Sequence, residues 1–232
     1  MNIPVLAITC VEGSTLSKMA DFTLEIPWAY DVSVCQTRTV VNLYAANLLI
    51  TAYLSGDRKL IEDIDTVIKV GNEYMLEYEE KIKRVAQKDW SYVILLADGE
   101  MQGIAGEGAI AFTEIAQVRA HHYHLLDVRH GPMVMINSDT LVIASLTSGH
   151  CDYQKDLISD LLKRGARVIT YSDKPLGKID GVDLQVSSGI SLDNASCGIP
   201  FIFIAQVLAY YKAEQKGINP DNPDGLAAWI KL

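Results

Sequence analysis

Cysteine is sparse and unpaired in this sequence. Four occur, Cys10, Cys35, Cys151 and Cys197, and none stands in a CxxC pair. That pattern excludes the disulfide framework of a small secreted domain and reads as reduced thiols in a cytoplasmic protein. Clusters of Lys and Arg are missing as well, and the net charge is -9. Neither a nucleic acid nor an anionic membrane surface is therefore an expected partner. No apolar run reaches the roughly 20 residues that a membrane helix needs. The N-terminus lacks the basic stretch, apolar core and cleavage site of a signal peptide. Against this charge, an anionic substrate has to be held by a local feature, of which a helix N-terminus is the usual kind.

What is present is an ordinary globular composition, 49% hydrophobic and 21% charged over 232 residues. That length suits one large domain or two small ones. Continuous apolar runs at 3–10 and 92–99 predict strands buried on both faces, because they do not alternate. Further strands are expected at 21–27, 140–148, 166–173 and 181–188, with a strand or extended segment at 121–128. Helices are expected at 35–57, 106–120, 153–165 and 197–217, the last two stopped by Gly165 and Gly217. The first of these is apolar all round, which predicts deep burial. Residues 58–89 are charged and amphipathic, with Leu60, Ile64, Val67, Ile68 and Met75 at helical spacing. They read either as a bridging helix or helix pair, or as a surface helix of the same domain. Strands alternating with helices predict a parallel sheet covered on both faces. The order strand, strand, long apolar helix occurs at 3–54 and again at 166–216. The chain therefore reads as the last part of one α/β domain (1–57), a helical linker (58–89) and a complete second copy with a C-terminal arm (90–232).

The most informative stretch is "EGAIAFTEIAQVRAHHYHLLDVRHGPMVMI". Glu107 and Glu114 are seven apart, two helical turns, so both carboxylates share a face. Sixteen residues on, Arg129-His130-Gly131-Pro132 places an imidazole before a tight turn. A carboxylate and an imidazole brought together can move protons at carbon and at oxygen. Surface carboxylates and a turn histidine are the plainer alternative.

This stretch resembles the sugar isomerase (SIS) family, in which a Glu-Gly-Ala helix carries a second Glu and is followed by a Lys/Arg-His-Gly-Pro turn. "PVLAITCVEGSTLSKMADFTLEIP" is similar to the closing strands of a first SIS domain, and "VSVCQTRTVVNLY" to its Gln-Thr-Lys/Arg helix entry. "QVLAYYKAEQKGINPDNP" is similar to the family's final helix and tail. The family includes ketose/aldose phosphosugar isomerases, fructosamine-6-phosphate deglycases and the isomerase domain of glucosamine-6-phosphate synthase. The resemblance implies three-layer, parallel-sheet, flavodoxin-like units, one partial and one complete. It implies aldose–ketose isomerisation of a phosphorylated sugar or amino sugar through an enediol, with no cofactor. Glu114 matches the glutamate that shuttles a proton between C1 and C2. His130 matches the ring-opening histidine, which in the family can reach a neighbouring subunit's site, so a homo-oligomer is expected. Glu107 and Arg129 match positions expected to bind substrate. Two lysines of the synthase are not matched, since Ala111 and Ala228 stand at their positions. Deglycation, or phosphosugar binding without catalysis, are the alternatives.

The family's phosphate loop follows an early strand of the first SIS domain, and no such loop is recognised before residue 3. The chain is accordingly expected to start partway through a domain. Ser14 and Thr15 read as a helix cap, not as phosphate ligands. The Gly-rich "GEMQGIAGEG" (99–108) opens a helix and could hold an anion. His122 and His124 share a strand face, but His121, His122 and His124 lack a convincing further ligand, and no metal is assigned. Cys35 reads as a nucleophile or, more simply, as a small buried residue.

Overall fold

A computed structural model describes residues 3–149 and 152–228; Met1 and Cys151, on which two of the expectations fall, lie outside them. Two parallel sheets are present. The first pairs β1 (Leu6–Thr9) with β2 (Phe22–Glu25), joined by the short helix α1 (Thr15–Met19). The Ser14 hydroxyl accepts the Ser17 N–H and so caps α1, which places Ser14 where a cap was expected. A long helix α2 (Arg38–Ser55) follows, then a single 29-residue helix α3 (Arg58–Ala86). Gly56 ends α2 at φ +72°, a left-handed conformation that favours glycine, and the Asp57 carboxylate caps α3 through the Leu60 N–H.

The second sheet holds β3 (Tyr92–Leu96), β4 (Arg119–Tyr123), β5 (Thr140–Ser145), β6 (Arg167–Ser172) and β7 (Leu184–Ser187). All neighbours are parallel, and the order is β4-β3-β5-β6-β7. Numbered within the sheet this is 2-1-3-4-5, the flavodoxin-like winding. The chain leaves β3 through α4 (Met101–Ile115) to one side, then returns to lay β5 on the other. Helix α5 (Asp152–Lys163) joins β5 to β6, and α6 (Gly198–Lys216) closes the fold. The run of apolar strand residues sorts by alternation, as a doubly covered sheet requires. Val93, Leu95, Leu141, Ile143 and Ile169 face α3, α4 and α6. Ile94, Leu96, Val142, Ala144 and Val168 face α5 and the segment 125–136.

Several expectations are corrected. The first strand is not buried on both faces: only Ala7 is, while Val5 and Leu6 are about half exposed. Its sheet has two strands, too few to bury both faces of either. Helix α2 is likewise mostly half-buried, with only Thr39 and Ala52 enclosed, because one side has nothing packed on it. Ile68 and Met75 of α3 face outward, and the buried stripe instead runs through Tyr74, Tyr78 and Ile82. The expected strand or extended segment at 121–128 is displaced: the strand is 119–123, and two 3-10 turns cover Asp127–His130 and Pro132–Met135. The Gly-rich segment before residue 106 is the first turns of α4 and not a loop. Two of the α4 glycines, Gly106 and Gly108, serve packing. A Cβ on Gly108 would stand 2.6 Å from Leu95 Cδ2 and 3.0 Å from the Ala205 Cβ, so α4 sits against β3 and α6 only because the position is glycine.

Candidate active site

Helix α4 presents Glu107 and Glu114 to a groove between itself and the edge strand β4. The groove encloses about 610 Å³ and is lined by both glutamates, His121 and His122. Gly106 admits the His122 ring, which would stand 3.2 Å from a Cβ there. His122 Nδ1 lies 2.9 Å from Gln102 Nε2, and His121 Nδ1 lies 3.1 Å from the Tyr92 hydroxyl. His122 is thereby tied to α4 across one end of the groove, and His121 to Tyr92 of the neighbouring strand β3. Burial, and then the charge of Glu114, push the Glu107 carboxyl above its ordinary value. Glu107 therefore keeps a proton to higher pH than an ordinary glutamate does.

Beyond the C-terminal end of α4 lies a separate pocket of about 310 Å³, lined by Ser33, Cys35, Ile115, Gln206, Tyr210 and Asp221. The loop 31–37 that carries Cys35 is held from both ends. Val34 N–H donates to the Asp221 carbonyl at 2.9 Å, tying the loop to the C-terminal tail. The Asp31 carboxylate accepts N–H groups of Ser33, Thr37 and Arg38. Burial alone would raise the Asp31 carboxyl, but the hydrogen bonds, led by Ser33, outweigh it and hold the group below its ordinary value. The same carboxylate fills the N-terminus of α2, so that helix end has its charge partner within the chain. Burial first, and Glu114 second, push the Cys35 thiol up to about 11. Cys35 stays a thiol at neutral pH, which favours the buried-residue reading over the nucleophile. Its coupling to Glu114 also marks the 31–37 loop as a neighbour of that carboxylate, which sequence spacing did not reveal.

The other two candidate residues lie elsewhere. Val128, Met133 and Ile136 pack into the core beside α5, on the sheet face opposite α4, and carry Arg129 and His130 with them. Arg129 Nη2 donates to Asp160 Oδ2 of α5 at 2.7 Å, and this bond holds the Asp160 carboxyl below its ordinary value. His130 is exposed at the end of its turn, and Gly131 follows at φ +148°, a conformation open to glycine. The structure thus brings Glu107 and Glu114 together and leaves Arg129 and His130 apart from them within one chain. Among the described residues no group of three or more His, Cys, Asp and Glu side chains could hold a metal ion. Among them also, no helix is long and apolar enough to cross a membrane.

A parallel sheet wound in the flavodoxin-like order and covered by helices on both faces defines the class: a doubly wound α/β protein. The SIS domain model matches residues 59–184, and the chain belongs to that family. The glutamine–fructose-6-phosphate aminotransferase (isomerizing) of Salmonella typhi is 27% identical over 98% of this chain and 39% of its own length. The enzyme of the same name from Methanothermobacter thermautotrophicus is 29% identical, with the same two coverages of 98% and 39%. The chain therefore spans well under half of these curated relatives. Among solved structures, the C-terminal domain of the Francisella tularensis glucosamine–fructose-6-phosphate aminotransferase superposes with a TM-score of 0.82 at 19% identity, covering 95% of this chain and 66% of that one. The tagatose-6-phosphate ketose/aldose isomerase of Escherichia coli gives 0.77 at 22%, covering 97% and 64%. These likenesses establish the fold.

Proposed function

We propose that this chain is a phosphosugar isomerase that interconverts the aldose and ketose forms of a sugar or amino-sugar phosphate. The observation that carries the reading is the Glu107–Glu114 pair on α4, in a groove where Glu107 is pushed toward its protonated form. A carbonyl acidifies the neighbouring C–H bond, so one carboxylate suffices to move a proton between C1 and C2 through an enediol. Glu114 is assigned that transfer. Glu107, whose carboxyl is shifted toward its protonated form, is assigned a hydrogen bond to a substrate oxygen. His130 opens the sugar ring, and its distance from Glu114's side of the sheet supports its acting in the groove of a second copy of the chain. Arg129, fixed by Asp160, sets the turn from which His130 projects and contributes charge toward the phosphorylated substrate. No organic cofactor or metal is needed for this proton transfer. Ala111 and Ala228, at the positions of the two lysines, argue against amination. The reading goes with a cytoplasmic homo-oligomer divided at 1–57, 58–89 and 90–232.

The test is an isomerase assay over a panel of sugar 6-phosphates, with Glu114→Gln as control. The variant is expected to lose about 10²- to 10⁴-fold in kcat, the span of one general acid–base residue. Full activity in Glu114→Gln sinks the assignment. Release of free amine from a fructosamine 6-phosphate, without aldose–ketose exchange, replaces isomerisation with deglycation.

A further inference from the structure

Lys and Arg do not cluster along this sequence, yet the fold gathers three cations into one pocket. The pocket encloses about 560 Å³ at the amino ends of β3 and β4. Trp90 and Ser91 line it just before β3, Gln117 and Arg119 just after α4, and Lys212 and Lys216 from the last turn of α6. It shares no lining residue with the Glu107–Glu114 groove. It also lies at the opposite pole of the sheet from the carboxyl strand ends, the usual place for a ligand in an open α/β fold.

The three cations are held by neutral groups. Lys212 is only 6% exposed, and its Nζ donates to the Ala86 and Lys88 carbonyls at 3.2 and 3.0 Å and to Gln215 Oε1 at 2.8 Å. The Trp90 ring centroid lies 4.1 Å from the same nitrogen. Lys216 Nζ donates to the Ala116 and Gln117 carbonyls at 2.7 and 2.8 Å, which leaves one of its three N–H groups for a ligand. Among the described residues, exposed Arg119 meets the Tyr92 ring, at 6.0 Å from the centroid, and the pocket lining adds no carboxylate. Gln117 holds φ +48°, the one left-handed residue other than glycine among the described residues. A side chain strains that conformation, and such residues gather at functional sites.

The charges do not cancel locally. A helix C-terminus carries about half a negative charge. The ends of α3, α4 and α6 together offset about half of the three positive charges. Burial first, with Lys216 and Arg167 behind it, holds the Lys212 amine below its ordinary value against the opposing charge of Asp89. An anion in the pocket relieves that. A phosphate brings about two negative charges and oxygens enough for the Lys216 N–H, the Arg119 fork and the Ser91 hydroxyl. A monocarboxylate brings one charge and two oxygens.

We propose that this pocket is a binding site for a phosphate group, either free or borne by a small molecule. It does not rest on the reaction assigned to Glu114. Inorganic phosphate is titrated calorimetrically into the whole protein at fixed ionic strength, with acetate and glycerol 2-phosphate as comparison ligands. Saturable phosphate binding is expected, at least about tenfold tighter than acetate, for the second charge and the added hydrogen bonds. Glycerol 2-phosphate binding as tightly as phosphate or more so assigns the site to a phosphate ester, and weaker binding assigns it to the free ion. Arg119→Gln and Lys216→Gln are each expected to weaken phosphate by about tenfold or more, the worth of one charge-assisted hydrogen bond. Arg119 is exposed, so its variant is expected to melt near the parent. Glu114→Gln is expected to leave phosphate affinity unchanged. The proposal is overturned if folded protein shows no saturable phosphate binding, if acetate binds as tightly, or if binding survives both Arg119→Gln and Lys216→Gln. Loss of binding on Glu114→Gln likewise overturns it, by moving the ion to the groove.

Discussion

Glu107 and Glu114 were legible as a pair from their spacing alone, because two turns of helix return a side chain to one face. Their environment was not. Burial of Glu107 depends on the wall that β4 supplies, and the approach of the 31–37 loop to Glu114 joins segments far apart in the chain. The raised Glu107 pKa has a consequence for stability. A carboxyl whose folded pKa lies above its unfolded value leaves stability intact below the unfolded value, and stability falls as pH rises through the folded one. Glu107→Gln removes that loss. The variant is expected to melt above the parent at about pH 8 and together with it at about pH 4, below the unfolded carboxyl value. Equal melting of the two proteins at both pH values would show that Glu107 ionises without cost.

The elements came through the sequence unequally. Strands β3, β5 and β6 and helices α5 and α6 fall close to where periodicity and glycine stops put them, since each is strongly patterned and ends at a turn residue. Helix α4 starts earlier than expected, because glycine ordinarily weakens a helix and a run of glycines reads as a loop. Contact overrides propensity here. Gly108 lets α4 lie against Leu95 and Ala205, and neither the fully buried Leu95 nor the backbone-fixed Ala205 Cβ has room to retreat. Gly108→Ala is therefore expected to lower stability by about 1–3 kcal/mol, the usual cost of overpacking, although alanine is the better helix former. A denaturant titration that gave the variant equal or greater stability would remove this explanation for the glycine.

At the scale of the whole molecule, the question is how His130 could serve Glu114 when the two lie on opposite faces of one sheet. A shared site between subunits answers it and makes a quantitative prediction. Glu114→Gln and His130→Ala proteins, each inactive alone, are expected to regain activity when unfolded and refolded together. In a dimer with two such sites, random pairing restores about one quarter of parental activity. No recovery on mixing would place both residues in one chain's site or remove His130 from the reaction. The exposed apolar side chains of β1, β2 and α2, among them Leu6, Phe22 and Leu54, supply surface for such association. By itself the sequence determined the class of fold, the alternation of strands and helices, and the residues able to do acid–base chemistry, because these follow from local periodicity and side-chain type. Only the tertiary structure decided which of them meet. Sheet order, the face each helix covers and the partners of each carboxylate are set by long-range packing, and spacing along a chain carries no direct record of it.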